Sequence, residues 1–286
     1  MTVLNATGMP YAWVFHVING SAFPWPPSAR NTAVLLLHGL TGTPADVTSV
    51  GDALVADGYS VSAPLLPGRG TCQDDMDRFG WEDWMSAALA VYDELTARHR
   101  EVVVGGVSAG ATMALDVALR RRPKALLLYA PALAVANRLA YLAPYVWRVI
   151  RRWPSPASDM VESSAAATCY DPVPVRAVAE LITGIRRVRG RLGEITCPAL
   201  VAHAVADRLV PVAYAQELAR RLSGPVTTLF LDGSGHAITC DARRQDVADA
   251  SLAFLRLLAG DRPVLRHDVD PRLTGLKPDD LTGRVA

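Results

Sequence analysis

The sequence predicts an α/β fold in which a mostly parallel central sheet carries helices on both faces. Short, continuous apolar segments recur along the chain, as expected of strands that are covered on both sides. Longer amphipathic segments alternate with them, which is the pattern of successive strand–helix units. The chain has 286 residues, half of them apolar, and this is enough to bury a large core.

The expected elements follow one another in a regular order. Each predicted strand is almost entirely apolar, and they lie at residues 33–37, 59–66, 101–107, 125–129, 199–204 and 226–231. Each predicted helix has one apolar face, and they lie at residues 44–57, 81–99, 109–122, 212–222 and 241–258. Gly58 stands where a glycine commonly ends a helix, and Pro123 stops the helix before it.

Residues 134–194 interrupt this alternation, because they contain helical segments but no convincing strand. They hold nine arginines and five acidic residues, whereas the whole chain has a net charge of only +1. We interpret them as a cap inserted over the sheet. The expected domains are therefore an α/β core over 1–133 and 195–260, a helical cap over 134–194 and a loosely ordered, charged tail over 261–286.

Composition and charge exclude several functional classes. A net charge of +1 gives no global field that favours nucleic acid or anionic lipid. No apolar segment approaches the ~20 residues of a membrane span. The four cysteines have no CxxC spacing and are typical of reduced thiols. The first basic residue is Arg30, so we expect no secretory signal and a cytoplasmic protein.

The most informative motif is Gly106-Val107-Ser108-Ala109-Gly110, which lies between a predicted strand and a predicted helix. A G-x-S-x-G in this context is typical of a nucleophile elbow, which exposes a serine hydroxyl at the end of a sheet. The flanking glycines let neighbouring backbone approach closely. The motif therefore predicts Ser108 as a catalytic nucleophile.

A serine nucleophile needs a base, usually a histidine. Three histidines follow Ser108 in the chain. His236 lies in a Gly-rich turn just after the last predicted strand and is the expected base. His203 lies inside an apolar strand, where a packed structural histidine is the simpler interpretation, and His267 lies in the tail without structural context.

The base in turn needs a carboxylate that orients it. Asp207 follows the predicted strand 199–204, at the sheet edge where open α/β folds place functional groups. Asp207 is therefore the expected acid. Asp232 is its main rival but abuts the histidine turn, where it is more typical of a turn former, and Asp241 is expected to cap the last helix.

An acyl-transfer enzyme also needs amide donors for the oxyanion that forms in the transition state. The backbone N–H of Ala109, directly after the nucleophile, is one candidate. The segment His38-Gly39-Leu40-Thr41-Gly42 follows the first predicted strand and offers the second, the N–H of Leu40. We interpret His38 as a buried histidine that organises this loop.

These motifs give the chain a family resemblance. The segments LLLHGLTGTPADV, GVSAGA, ADRLVP and GSGHAITCD resemble, in order and context, those of the bacterial carboxylesterase and monoacylglycerol lipase family of α/β-hydrolases. The resemblance covers residues 32–258. It implies an α/β-hydrolase fold with a small helical cap inserted after the sixth strand. It also implies Ser108, Asp207 and His236 as the triad, with the Leu40 and Ala109 amides as the oxyanion hole.

The expected activity is hydrolysis of short- to medium-chain acyl esters, monoacylglycerols among them, through an acyl-enzyme and without a cofactor or metal. The alternative is a thioesterase or acyltransferase for carrier-bound acyl groups. The arginines of the cap, including Arg186, Arg187 and Arg189, motivate an acidic acyl carrier protein as its partner, although a solvated surface explains them more simply. A binding module without catalysis is a third alternative, which would have no reason to keep all three triad residues.

Overall fold

The computed structural model describes residues 30–155, 158, 160–162 and 170–261. The described strands, in chain order, are β1 (Thr32–Leu37), β2 (Ser60–Ser62), β3 (Glu101–Val107), β4 (Leu126–Tyr129), β5 (Arg152–Trp153), β6 (Val173–Pro174), β7 (Ala199–Ala204) and β8 (Val226–Leu231). Six of them form the central sheet in the order β2-β1-β3-β4-β7-β8, and every neighbouring pair is parallel. The parallel α/β fold predicted from the sequence is confirmed.

The helices connect the strands and cover the sheet. They are α1 (Thr48–Ala56), α2 (Gln73–Met76), α3 (Trp81–Arg98), α4 (Ala109–Arg120), α5 (Ala143–Val146), α6 (Val175–Arg189), α7 (Ala213–Arg221) and α8 (Arg244–Leu258). Short 3₁₀ turns lie at Pro44–Val47, Arg138–Leu142 and Leu192–Glu194. None of the helices in the described part of the chain has the length and apolar character that crossing a bilayer requires.

The core lies on both faces of the sheet because alternate strand side chains point in opposite directions. On β1, Leu35 and Leu37 pack with α3 and α4, whereas Val34 and Leu36 pack with α1 and α8. All four are fully buried. Burial of such a side chain stabilises the fold by about 1.5–3 kcal/mol. The two-sided core holds the carboxyl ends of β1, β3, β7 and β8 together, and the functional loops leave from these ends.

Strand β2 is shorter than the sequence predicts, ending at Ser62 rather than Leu66. The physical reason lies in the residues that follow. Pro64 has no N–H for a ladder, and the N–H of Leu66 donates to His38 Nε2 at 3.1 Å. The chain therefore leaves the sheet edge and turns toward the loop after β1.

The insertion between β4 and β7 contains α5, α6 and the short antiparallel pair β5–β6. This two-residue ladder is too short to leave a recognisable pattern in the sequence. Four described strands precede the insertion, so in this part of the chain it follows the fourth strand and not the sixth; residues 1–29 lie outside the description. The domain boundaries themselves stay a prediction.

Helix α6 attaches the insertion to the main core. A Cβ on Gly184 would lie 2.5 Å from the Trp81 ring, so α6 packs directly on α3 at this point. Trp147 and Trp153 pack within the insertion against Val175 and its neighbours, whereas the Tyr145 side chain is exposed. The two tryptophans therefore hold the insertion together.

Candidate active site

Ser108 lies at a strained turn between β3 and α4. Its φ of 55° and ψ of −116° place a non-glycine residue at positive φ, which needs support from the surrounding structure. A Cβ on Gly106 would lie 2.6 Å from Leu37 O, and one on Gly110 would lie 2.1 Å from the same oxygen. Both positions therefore need glycine, as the G-x-S-x-G motif predicts. The Ser108 N–H donates to Tyr129 O on β4 at 2.9 Å.

His236 joins Ser108 to Asp207. Its Nε2 lies 2.8 Å from Ser108 Oγ and its Nδ1 lies 2.7 Å from Asp207 Oδ2. An ionised carboxylate can only accept, so Nδ1 carries the proton of the neutral ring and Nε2 is left to accept from the serine hydroxyl. The three side chains come from loops after β3, β7 and β8, so the parallel sheet brings together residues that are far apart in the sequence.

Asp207 is a buried carboxylate with several donors. Its Oδ1 accepts from the N–H groups of Leu209 and Val210, both at 2.8 Å. Burial alone would raise the pKa of Asp207, but the hydrogen bonds from His203 and His236 outweigh it and hold that pKa below its usual range. Asp207 is therefore ionised at neutral pH and able to stabilise a protonated His236.

His203 is a fully buried residue on β7, as expected of a packed strand histidine, but it also touches the candidate acid. Its Nε2 lies 3.0 Å from Asp207 Oδ2 and 2.8 Å from Val210 O. Since both neighbours are acceptors, Nε2 carries the proton and donates to them. This contact was not predicted from the sequence. The i,i+4 spacing of His203 and Asp207 could have suggested it, but the pair straddles a strand end, where spacing alone does not fix a side-chain contact.

Asp241 holds the loop that carries His236. Its carboxylate accepts from Gly235 N at 2.7 Å and Ser234 Oγ at 3.0 Å, and also from Val161 N and Glu162 N in the insertion. The predicted role as cap of the last helix is wrong, because α8 begins only at Arg244. The carboxylate is already engaged by the histidine loop and the insertion.

The loop after β1 presents the Leu40 amide. Asp46 Oδ2 accepts from Gly39 N at 2.9 Å, and His38 Nδ1 lies 2.9 Å from Gly39 O. Since Leu66 N donates to His38 Nε2, Nδ1 carries the ring proton and donates to Gly39 O. Burial lowers the pKa of His38 to about 3, so the ring is neutral. His38 therefore organises the loop, as the sequence analysis proposes. Within the described residues, the N–H groups of Leu40 and Ala109 have no protein acceptor.

The rival residues are not part of this arrangement. The Asp232 side chain is exposed, and Asp207 is the acid that His236 Nδ1 contacts. His267 lies outside the described residues. Nowhere in the described ranges do three or more His, Cys, Asp or Glu side chains form a group that could hold a metal ion.

Comparison with known proteins agrees with this architecture. A thermostable monoacylglycerol lipase from Bacillus sp. (strain H-257) is 28% identical over 253 residues, covering 86% of this chain and 98% of the lipase. A carboxylesterase from Bacillus subtilis (strain 168) is 26% identical over 239 residues, covering 82% of this chain and 96% of the esterase.

Solved structures share the fold. One from a study of the metagenome-derived lipolytic enzymes LipS and LipT superposes with a TM-score of 0.76 at 24% identity, covering 82% of this chain and 96% of that one. The monoacylglycerol lipase of Paleococcus ferrophilus superposes with a TM-score of 0.66 at 18% identity, and the match covers 79% of this chain and 93% of that one. The model of the Hydrolase_4 family, described as "Serine aminopeptidase, S33", matches residues 28–243, so this chain belongs to that family of α/β-hydrolases.

Proposed function

We propose that this protein is a serine hydrolase that cleaves carboxylic esters with Ser108 as nucleophile, His236 as base and Asp207 as the acid that orients it. The observation that carries the proposal is the position of the His236 ring, 2.8 Å from Ser108 Oγ and 2.7 Å from Asp207 Oδ2. A serine hydroxyl is a weak nucleophile, and a hydrogen-bonded imidazole is the group that removes its proton.

In the first half-reaction, Ser108 Oγ attacks the ester carbonyl carbon and its proton moves to His236 Nε2. The tetrahedral intermediate then collapses, and His236 returns the proton to the leaving alcohol. In the second half-reaction, a water molecule gives a proton to His236 and attacks the acyl-enzyme. The acid is released and Ser108 regains its proton. Asp207 stays ionised throughout and stabilises the imidazolium.

The oxyanion of each tetrahedral intermediate needs preorganised donors, each worth about 2.7–4 kcal/mol in related enzymes. We assign this role to the N–H groups of Leu40 and Ala109. Ala109 is the first residue of α4, where backbone N–H groups lack intrahelical acceptors and the helix dipole favours negative charge. Leu40 N lies in the loop across the end of β1 and has no acceptor among the described residues.

The substrates we propose are small acyl esters of short to medium chain length, with monoacylglycerols among them. The two curated relatives, a monoacylglycerol lipase and a carboxylesterase, match this chain over nearly their whole length and support this choice. A cytoplasmic location stays a prediction from the cysteine pattern; Cys72, Cys197 and Cys240 are free thiols.

No observation favours the carrier-protein alternative. It depends on arginines that are available to an acidic partner, but two of them are engaged within the chain. Arg187 contacts Glu82, and Arg189 Nη2 lies 2.7 Å from Glu217 Oε2. These ion pairs attach the insertion to α3 and α7. They explain why the arginines are charged without requiring a carrier protein as partner.

A substrate panel tests the proposal. It contains p-nitrophenyl esters of increasing chain length, monoacylglycerols, acyl thioesters and aminoacyl p-nitroanilides, each assayed with the wild type and with Ser108→Ala. We expect kcat/KM to be highest for an ester or monoacylglycerol and to depend on Ser108. A clear preference for thioesters or for aminoacyl anilides would contradict the proposed ester specificity.

A further inference from the structure

The backbone around Leu40 is fixed from three directions by side chains. Asp46 accepts the N–H of Gly39, and His38 donates to Gly39 O, which belongs to the same peptide unit as Leu40 N. The next peptide unit is held by Arg69, whose Nε donates to Leu40 O at 3.0 Å. The only group of Gly39 and Leu40 left without a partner in the described part of the chain is the Leu40 N–H.

The Arg69 side chain is buried in the protein interior. It is 3% exposed, its Nη1 donates to Pro67 O at 2.8 Å, and its guanidinium lies 3.9 Å from the centroid of the Trp84 ring. Gly68 and Gly70 flank it with φ values of 80° and 72°, a conformation that favours glycine. A Cβ on Gly68 would lie 2.7 Å from the Cα of Met76. This turn directs the arginine inward.

A buried guanidinium is costly, and this one has no carboxylate partner among the described residues. Burial lowers the pKa of Arg69 to about 9, so the group is still charged at neutral pH. Neutral side chains could fill the space beside Trp84 at lower cost. The loop that Arg69 holds carries a proposed oxyanion donor, and a donor fixed in place stabilises the negative charge that develops in the transition state.

We propose that Arg69 is a positioning residue for the oxyanion hole, which orients the Leu40 amide through the Leu40 carbonyl. This role rests on the proposed function, because it needs an oxyanion at Leu40 N. An arginine with only a structural role would link the two loops and affect only the stability of the fold. A positioning arginine affects the transition state more than the bound substrate.

The test compares Arg69→Met with Arg176→Met. Arg176 is a matched control, since it also donates to a backbone carbonyl, that of Asp77, and lies 5.2 Å from a tryptophan ring, that of Trp147, but it belongs to the insertion. Three quantities are measured for each variant: kcat and KM for the best ester, the inhibition constant of an alkylboronic acid that forms a tetrahedral adduct with serine, and the thermal midpoint.

For Arg69→Met we expect kcat to fall about 10- to 100-fold, somewhat less than for loss of an oxyanion donor itself. KM should change by less than about threefold, and the boronic acid should bind more weakly in proportion to the loss of kcat. Arg176→Met should leave kcat and the inhibition constant within about threefold of the wild type.

Arg69→Lys keeps the test decisive if the methionine variant does not fold. Lysine retains the charge, but its three donors share one nitrogen and cannot bridge Leu40 O and Pro67 O as the planar guanidinium does, so we expect an intermediate kcat with the same parallel loss of boronic acid affinity. The role is overturned if an active wild type and its folded Arg69 variants share the same kcat, or if kcat falls while boronic acid affinity does not. A wild type that hydrolyses no ester would instead overturn the proposed function itself.

Discussion

The strand-end site and residues 138–153 of the insertion are held in place by different forces. At the strand ends, Asp207 is buried and accepts from two backbone N–H groups, and the Ser108 turn is enclosed by β1 and β4. In the insertion, the outer surface carries exposed apolar side chains, with Leu139 63%, Tyr145 75% and Val149 87% exposed. Ion pairs on its flanks attach it to the core, such as Arg152 with Asp77 at 2.7 Å.

This difference predicts that catalysis and substrate selection depend on separate parts of the molecule. The side chains proposed to transfer protons are fixed by the sheet and cannot shift without breaking buried hydrogen bonds. Helix α6 of the insertion packs into the main core through Leu181 and Ile182, whereas residues 138–153 are attached to the core by partly exposed ion pairs, each worth about 0–1 kcal/mol. Changes at the strand ends should therefore act on kcat, and changes in the insertion should act mainly on KM and stability.

Loss of the nucleophile should have the largest effect. We expect Ser108→Ala to reduce kcat by about 10⁴- to 10⁶-fold without unfolding the protein, because the alanine keeps the backbone and removes only the hydroxyl. The double variant with His236→Ala should lose no more than either single variant, since the two residues act as a unit. Steady-state kinetics and thermal midpoints check this. Turnover by pure Ser108→Ala within tenfold of the wild type would contradict the assignment.

Replacement of the proposed acid, Asp207, should have the second-largest effect on kcat. Asp207→Asn should cost about 10⁴ in kcat, because the amide can reverse the hydrogen bond and favour the wrong imidazole tautomer. Asp232→Asn is the matched control, being the same substitution on an exposed residue close to His236 in the sequence. It should leave kcat nearly unchanged. If Asp232→Asn is the inactive variant, Asp232 and not Asp207 is the acid.

A smaller effect is expected from replacing His203, which contacts the proposed acid Asp207. His203→Phe removes one donor to Asp207 but leaves those of Leu209 and Val210. A hydrogen bond to a charged group contributes about 1.5–3 kcal/mol, so we expect kcat to fall by about 10- to 100-fold. His99→Phe, at the end of α3, is the control and should behave like the wild type.

The effect of His203→Phe on the thermal midpoint should also depend on pH. In the folded wild type the pKa of Asp207 lies below its unfolded value of about 3.9, so Asp207 stabilises the fold above that pH and the contribution is lost as the pH falls through the folded pKa. Without His203 the folded pKa rises and the contribution shrinks. The gap in thermal midpoint between wild type and His203→Phe should therefore be widest near neutral pH and narrow below about pH 3. A gap that widens on acidification would contradict this.

The smallest effect is expected in the insertion. Reversing the charges of Arg186, Arg187 and Arg189 to Glu should lower the free energy of unfolding by about 0.2–1 kcal/mol for each broken ion pair and leave kcat for neutral esters unchanged. Urea denaturation and a salt series of KM values check this. A rise in KM that is confined to a carrier-bound thioester and disappears at high salt would instead favour the carrier-protein alternative.

The strand-end region was largely predictable from the sequence, because its signals are local. Apolar strands, the glycines around Ser108 and the turn before His236 each occupy a few consecutive residues. The contacts of His203, Asp241 and Arg69 were not predictable in this way. Each depends on where separate segments meet, as when Arg69 reaches Leu40 across 29 positions of the chain. The early end of strand β2 was not predicted for a similar reason, since His38 accepts the Leu66 N–H.

Covalent trapping identifies the residue that carries the acyl group, which we propose is Ser108. Wild type and Ser108→Ala are treated with an alkyl fluorophosphonate, digested and analysed by mass spectrometry. We expect one phosphonyl group per wild-type chain, located on Ser108, and none on the variant. A label on any other residue, or equal labelling of Ser108→Ala, would contradict it.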